Sequence, residues 1–285
     1  MTGLNDIYVE KEFNGNKYIS KVKCELYNDH FENAKRYNIP HAQLIIADIP
    51  YNLGNNAYAS NPTWYKDGDN KNGESDKAGK CFFKTDENFK IGNFFDFCTR
   101  YLRKEPKEPN KAPAMIVFCA FEQMHMVIEE GKKHGLAKSY PLIFCKNFSA
   151  QVLKANMKIV GATEYAVVLY RDKLPKFNGG GKMVFNWMEW KKDSSVDIIH
   201  PTQKPIPVLK RLIEIFTDEG DVVIDPVAGS GSTLYAARQL KRNSYGFEIE
   251  KEFYKKAVNM LDGVTENDIK KKESGQMNIF DYMEE

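Results

Sequence analysis

Short apolar runs, each too brief for a buried helix, recur along this 285-residue chain with helically spaced segments between them. The runs are 44–47, 114–120, 140–146, 164–170, 221–225 and 244–248, preceded by an alternating stretch at 19–27. The intervening segments 31–37, 91–104, 121–134, 206–217, 233–241 and 250–261 place apolar residues at helical spacing. Parallel strands need a crossover, and the usual crossover is a helix, so the alternation predicts a mostly parallel, doubly wound α/β sheet. The length suits one such domain with at most a modest second lobe. In sheets of this kind ligands bind beyond the carboxyl ends of the strands.

Two strand ends carry notable chemistry. The first run leads into Asp48-Ile49-Pro50-Tyr51-Asn52-Leu53-Gly54: an acid, a Pro-locked backbone and an aromatic ring, suited to gripping a flat, amino-bearing ring. Further on, Asp225-Pro226-Val227-Ala228-Gly229-Ser230-Gly231-Ser232-Thr233 sits where a strand turns into a helix, and Glu248 ends the next strand. Glycines let backbone approach a ligand, a helix start offers N–H groups, and an acid at the following strand end can accept from ribose hydroxyls. Together they point to an adenosine-containing cofactor. Between the two lies His200-Pro201-Thr202-Gln203-Lys204-Pro205, a Pro-bounded hexapeptide that presents polar side chains just before a helix.

Two segments break the pattern. Residues 55–88 are rich in Asn, Gly, Lys and Asp and hold Trp64 and Tyr65; they read as a long polar loop, either a bare excursion or a lid. Residues 174–197 hold Gly179-Gly180-Gly181, Trp187 and Trp190. Between Lys146 and His200 nine Lys/Arg stand against five Asp/Glu, a local excess of four positive charges. Such a segment can follow a phosphate backbone and stack bases, or can be a solvated insertion. The overall net charge of +2 decides nothing about nucleic acid.

Cys24, Cys81, Cys98, Cys119 and Cys145 are scattered without a C-x-x-C pair, which argues against a zinc knuckle and for free thiols in a reducing compartment. No apolar run approaches the ~18 residues of a membrane span. The expectation is a cytoplasmic protein.

Asp48-Ile49-Pro50-Tyr51, His200 to Pro205 and Asp225 to Thr233 resemble, in that order, the DPPY-type, HPTQKP and DPFxGSGTT motifs of the β-class S-adenosylmethionine-dependent DNA amino-methyltransferases. Lesser landmarks agree: Phe144-Cys145-Lys146 resembles the family's W-x-K strand, Thr163-Glu164 its H-E, and Asn28-Asp29 a G-D whose acid lies near the cofactor's adenine. The resemblance implies a Rossmann-like seven-stranded sheet, mostly parallel with a reversed last strand, in permuted motif order with inserted DNA-recognition segments. It implies S-adenosylmethionine as cofactor, double-stranded DNA as partner, and methylation of adenine N6 on a flipped base, since Asp rather than Ser opens the tetrapeptide. Cytosine N4 and a catalytically decayed DNA- or cofactor-binding homologue are the alternatives. An RNA or protein methyltransferase is a further alternative; the order of the motifs disfavours the N-P-P-Y glutamine methyltransferases, and competition between DNA and RNA separates the RNA reading.

By the same resemblance Asp48, Pro50 and Tyr51 are the catalytic set. Asp29, Thr202, Lys204, Asp225, Pro226, Gly229, Gly231, Thr233 and Glu248 hold the cofactor, and no metal is required. Residues 16–54 and 89–172 form the catalytic half, 55–88 the polar insertion, 173–199 the target-recognition segment and 200–262 the cofactor half. Ile49 and Val227 depart from the family pattern. The role of Ile49 needs only its backbone carbonyl, which Pro50 and β-branching bias toward extended geometry. Val227 offers a smaller apolar wall than the family's Phe. Residues 263–285 read as a flexible tail. In it, Gln276-Met277-Asn278-Ile279-Phe280 resembles the peptide by which bacterial replication proteins dock on the sliding clamp; the other reading is a tail that folds back onto its own domain or does nothing. As a DNA-modifying enzyme the cytoplasmic protein would be nucleoid-associated. A second copy of the chain is a further partner to be tested.

Overall fold

A computed structural model describes residues 7–13, 16–51, 89–147, 151–154, 159–191 and 203–263. The expected polar insertion 55–88, Thr202 and the clamp-like peptide lie outside the described residues.

Twelve strands and five α-helices are described. The strands are β1 (Tyr8–Phe13), β2 (Asn16–Lys21), β3 (Cys24–Tyr27), β4 (Leu44–Asp48), β5 (Ala114–Cys119), β6 (Lys138–Lys146), β7 (Gln151–Lys154), β8 (Ile159–Gly161), β9 (Thr163–Tyr170), β10 (Trp187–Trp190), β11 (Val222–Asp225) and β12 (Asn243–Phe247). The helices are α1 (Ile91–Tyr101), α2 (Met124–Lys133), α3 (Ile206–Phe216), α4 (Ser232–Gln239) and α5 (Lys251–Asp262), with a 3-10 helix at Phe31–Arg36. The central sheet runs β10-β6-β9-β5-β4-β11-β12-β3. Within it only β9 runs against its neighbours, inserted between β5 and β6; the other pairs are parallel. The expected Rossmann-like α/β sheet is therefore present, with β10 added as an eighth strand at one edge.

The centre of the sheet is covered on both faces. On β4, Leu44 and Ile46 pack into one core with Leu209, Leu212, Ile213 and Phe216 of α3 and Ala236 and Ala237 of α4. Ile45 and Ala47 point the other way, into a core with Phe94, Phe95, Phe97 and Cys98 of α1 and Val127 of α2. All four β4 side chains are buried, which explains a continuous apolar run rather than alternation.

Some elements depart from expectation. The stretch 19–27 is not one strand. Val22 turns into a small cluster with Ile7 and Val9, its N–H donating to the Ile7 carbonyl, so β2 pairs with β1 as a hairpin and β3 joins the main sheet. Phe121–Gln123 is a 3-10 turn, and α2 begins only at Met124. The segment read as irregular, 174–197, contains β10, whose Trp190 is buried while Trp187 is exposed. Gly135, just after α2, adopts the left-handed conformation at φ 83° that commonly ends a helix. The four described cysteines are free. No helix among the described residues is long and apolar enough to cross a membrane.

Candidate active site

Because seven strands of the sheet run one way, their carboxyl ends share one edge. Tyr27, Asp48, Cys119, Lys146, Trp190, Asp225 and Phe247 are the last residues of β3, β4, β5, β6, β10, β11 and β12. The reversed β9 brings its first residues, Thr163 and Glu164, to that same edge, where Glu164 pairs in register with Phe144.

At the end of β4, the Asp48 carboxylate is joined by Lys204, whose ammonium lies 2.6 Å from Oδ2. Lys204, which the resemblance assigns to the cofactor half, enters from the hexapeptide just before α3 and meets Asp48. Its side chain is 9% exposed. The ammonium lies 5.3, 5.4 and 5.8 Å from the ring centroids of Phe118, Tyr51 and Trp190, a cage that suits a desolvated cation. The other oxygen, Asp48 Oδ1, is buried and has no hydrogen-bond partner among the described residues. Burial pushes the Asp48 carboxyl up, and the attraction of Lys204 only partly offsets it.

Tyr51 donates its hydroxyl proton to Glu164 Oε2 at 3.0 Å, and Lys146 reaches Glu164 Oε1 at 2.5 Å. Burial raises the Glu164 carboxyl, but Lys204 and Lys146 outweigh it and hold the group below the usual range. Burial drives the Tyr51 phenol well above its ordinary value, and the Glu164 charge adds to it. Gln123 braces the tetrapeptide from a third side. Its amide donates to the Pro50 carbonyl at 2.9 Å and accepts from the Ala120 N–H at 3.0 Å. Ile49 is buried in the α1/α2 core, and its N–H donates to the Phe118 carbonyl at 3.2 Å.

The glycine turn after β11 forms the second half of the site. Gly229 and Gly231 both take positive φ, 51° and 75°, so a side chain at either would be strained. Gly231 stands at the N-cap of α4, where a Cβ would also meet Ala257 Cβ at 3.1 Å. On neighbouring β12, a Cβ at Gly246 would come within 2.8 Å of Leu234 Cδ1 and 3.2 Å of the Asp225 carbonyl oxygen. The turn can thus lie close on the sheet. Asp225 Oδ1 accepts from the Val227 N–H at 3.1 Å, and Ser230 and Ser232 share a hydrogen bond of 2.7 Å. Thr233 is buried in the first turn of α4. Pro226, between Asp225 and that turn, lacks an N–H to donate. Glu248 Oε1 accepts from the Glu250 N–H at 2.6 Å.

The adjoining corner is built by Asn28 and Asp29. The Asn28 amide donates to the Glu248 carbonyl at 2.8 Å, so the ends of β3 and β12 are tied. Both Asp29 oxygens are engaged: Oδ1 by the His30 N–H (2.8 Å) and the Asn33 amide (2.7 Å), Oδ2 by the Tyr37 hydroxyl (2.9 Å) and Arg36 (3.4 Å). The Asn33 hydrogen bond leads the causes that hold this carboxyl below its usual range. Asp29 thereby anchors the 3-10 helix at 31–36 against the end of β3.

Burial pushes both Asp225 and Glu248 up to about 7, the Asp48 charge adding to the first and the Asp225 charge to the second. Each keeps its proton to higher pH folded than unfolded. The folded state therefore binds more protons between about 4 and 7, and stability falls as pH rises through that window. Thermal melts of the ligand-free chain between about pH 5 and 8 should show Tm falling with pH. Asp225→Asn should flatten the slope; an unchanged slope would remove Asp225 as its source.

Of the residues expected from sequence, the structure brings together Asp48, Pro50, Tyr51 and Lys204 on one side, and Asp225 to Thr233, Glu248 and Asp29 on the other. Gln123 carried no sequence signal, since a lone Gln at the start of a helix is unremarkable. Phe118 and Trp190 were legible only as core or loop aromatics.

A family model described as N6/N4 DNA methylase matches residues 42–259. The chain is 27% identical to the type II methyltransferase M2.DpnII of Streptococcus pneumoniae over 263 residues, covering 87% of this chain and 93% of that one. It is 46% identical to M.HindIII of Haemophilus influenzae over 68 residues, 24% of this chain and 22% of that one. The match to the methylase YubD of Escherichia coli, 29% identical, covers 54% of this chain and 64% of the relative. The chain thus spans less than two thirds of the length of M.HindIII and of YubD. Among solved structures, the M1.HpyAVI–SAM complex superposes with a TM-score of 0.59 at 21% identity, over 83% of this chain and 98% of that one. The cytosine-N4-specific PvuII DNA methyltransferase superposes with a TM-score of 0.56 at 13% identity, over 86% and 89%. At these identities the likeness is one of fold.

Proposed function

Because this chain belongs to the N6/N4 family of DNA methylases, we propose that it transfers a methyl group from S-adenosylmethionine to the N6 amine of an adenine flipped out of duplex DNA. The observation that carries this reading is Asp48 Oδ1: a buried acceptor without a partner among the described residues, beside an aromatic ring, at the edge where the glycine turn also lies.

The exocyclic amine is a poor nucleophile because its lone pair is delocalised into the ring. Inside a duplex it also faces its partner base, so the base must be extruded at a cost of about a few kcal/mol. Tyr51 offers a face for the extruded base to stack on. Asp48 Oδ1 accepts one amine hydrogen and the Ile49 carbonyl the other. That steers the lone pair out of the ring and stabilises positive charge as it develops on nitrogen, and the surplus amine proton then leaves through Asp48 Oδ1 to solvent. Lys204 holds Oδ2, so the carboxylate keeps one oxygen aimed at the amine.

S-adenosylmethionine, when bound, supplies a methyl group already activated on a sulfonium. The chain's part is then mostly positioning. The fit is favourable. The Gly229–Gly231 turn leaves room for a ligand against the backbone, and Glu248 can accept from ribose hydroxyls. The exposed, stacked pair Phe185 and Trp187, with Lys182 and Lys191 nearby in sequence, supports a DNA-contacting role for 173–199. Adenine over cytosine rests on Asp at the head of the tetrapeptide.

Single-molecule sequencing of DNA from cells expressing the protein tests the reading. N6-methyladenine at one short sequence is expected. N4-methylcytosine instead would overturn the choice of base, and unmodified DNA the activity itself.

A further inference from the structure

Beyond the residues that would touch the base, one buried pair, Lys146 at the end of β6 and Glu164 at the start of β9, is built around Tyr51. We propose that Glu164 is the positioning residue of the base pocket: clamped by Lys146, it fixes the Tyr51 ring through the hydroxyl and so sets the surface on which the target base stacks. The inference rests on the reading of Tyr51 as that surface.

The geometry supports it at each step. A tyrosine ring swings about two side-chain torsions, and holding its hydroxyl fixes the far end of both. The holder is an ionised carboxylate, and a hydrogen bond to a charged acceptor is stronger than a neutral one. Glu164 is itself held. Lys146 bonds its second oxygen at 2.5 Å, and the Lys146 ammonium lies 5.1 Å from the Trp190 ring centroid, on the strand beside it. The Lys146 N–H donates to the Ala162 carbonyl at 2.7 Å, just before β9 begins. The Lys146 and Glu164 side chains are 8% and 15% exposed. Lys204 draws on both acids, Asp48 by contact and Glu164 through its field, so two cations and two carboxylates balance in one buried group.

A double-mutant cycle on single-turnover methyl transfer tests the proposal. It uses the full chain, radiolabelled S-adenosylmethionine and a duplex carrying the site located by sequencing. Tyr51→Phe and Glu164→Ala should each slow transfer by about 30-fold, the size expected for one charge-assisted hydrogen bond that orients a reactant. The double variant should be no more than about threefold slower than either, because the two changes break the same link. KM for S-adenosylmethionine should stay within about threefold, since a positioning role acts on the base. Losses that multiply to about 10³ would show that Glu164 acts independently of Tyr51 and overturn the proposal, as would an unaffected rate in either single variant. Glu164→Ala leaves Lys146 buried without its partner and can fail to fold. The paired replacement K146M/E164L removes both charges together and then takes its place in the cycle. A wild-type chain that methylates no DNA would instead bring down the methyltransferase reading, a result the unmutated control reports by itself.

Discussion

Asp48→Ala is expected to lower methyl transfer to DNA by about 10³-fold, the scale of removing a preorganised group aimed at developing charge. The size follows from what Asp48 does on both oxygens. Oδ1 is buried without a partner among the described residues, the acceptor the proposed mechanism offers to the amine, and Oδ2 pairs with Lys204 at 2.6 Å. Deleting the side chain removes the acceptor and leaves a cation caged by three rings without its contact partner, with only the more distant Glu164 charge to offset it. The loss is therefore part chemistry and part local rearrangement. Asp48→Asn separates the two. It keeps an oxygen acceptor of the same shape but not the negative charge, and should lose about 10²-fold. Binding of S-adenosylmethionine, measured by calorimetry, should survive in both variants, because the Gly229–Gly231 turn belongs to β11 and α4. Full methyl transfer by Asp48→Ala would remove Asp48 from the mechanism.

Phe118→Ala is expected to cost about 3–5 kcal/mol of stability in denaturant unfolding, the range for deleting a buried aromatic ring from a packed core. Phe118 is wholly buried on β5, one of the inner strands, and stacks on Phe144 at 5.1 Å between centroids. Its register partner is Asp48, and its ring is one wall of the Lys204 cage. A void there would admit water to the ammonium and weaken its hold on Asp48, so activity should fall among the molecules that remain folded. Phe118→Leu keeps most of the volume and should cost about 1–1.5 kcal/mol. A loss below about 1 kcal/mol for Phe118→Ala would mean that the site collapses around the deletion.

The fold was legible where burial made long apolar runs, and less so where local pattern and tertiary context disagreed. β4 and β5 announced themselves because both faces are covered. β1 did not, because its alternating Tyr8-Val9-Glu10 buries only Val9 of the three and sits in a polar terminus. β10 did not, because its Trp187-Met188-Glu189-Trp190 is only four residues long and lies in a Gly- and Lys-rich segment. In the site, the tetrapeptide, Lys204 and the glycine turn could be named in advance because their spacing is local. The contacts among Tyr51, Glu164 and Lys146 could not. They depend on β9 running backwards beside β6, a register that no periodicity within either strand encodes. Gln123 is the extreme case, since its two hydrogen bonds depend on how one turn meets another.

The order of the sheet also bears on when the protein becomes active during its own synthesis. β4 lies between β5 and β11, and β3 pairs with β12, so early strands wait for late ones. Asp48 meets Lys204 across 156 positions, and Asn28 meets Glu248 across 220. Contacts of such separation form slowly, and on the ribosome they cannot form until the later partner has emerged. A nascent chain stalled before residue 222 would carry β4 with a bare edge and an acid without its glycine turn. DNA modification should therefore begin only with chains whose last sheet strand has left the exit tunnel, and until then the unpaired edge of β4 is where a chaperone would be needed.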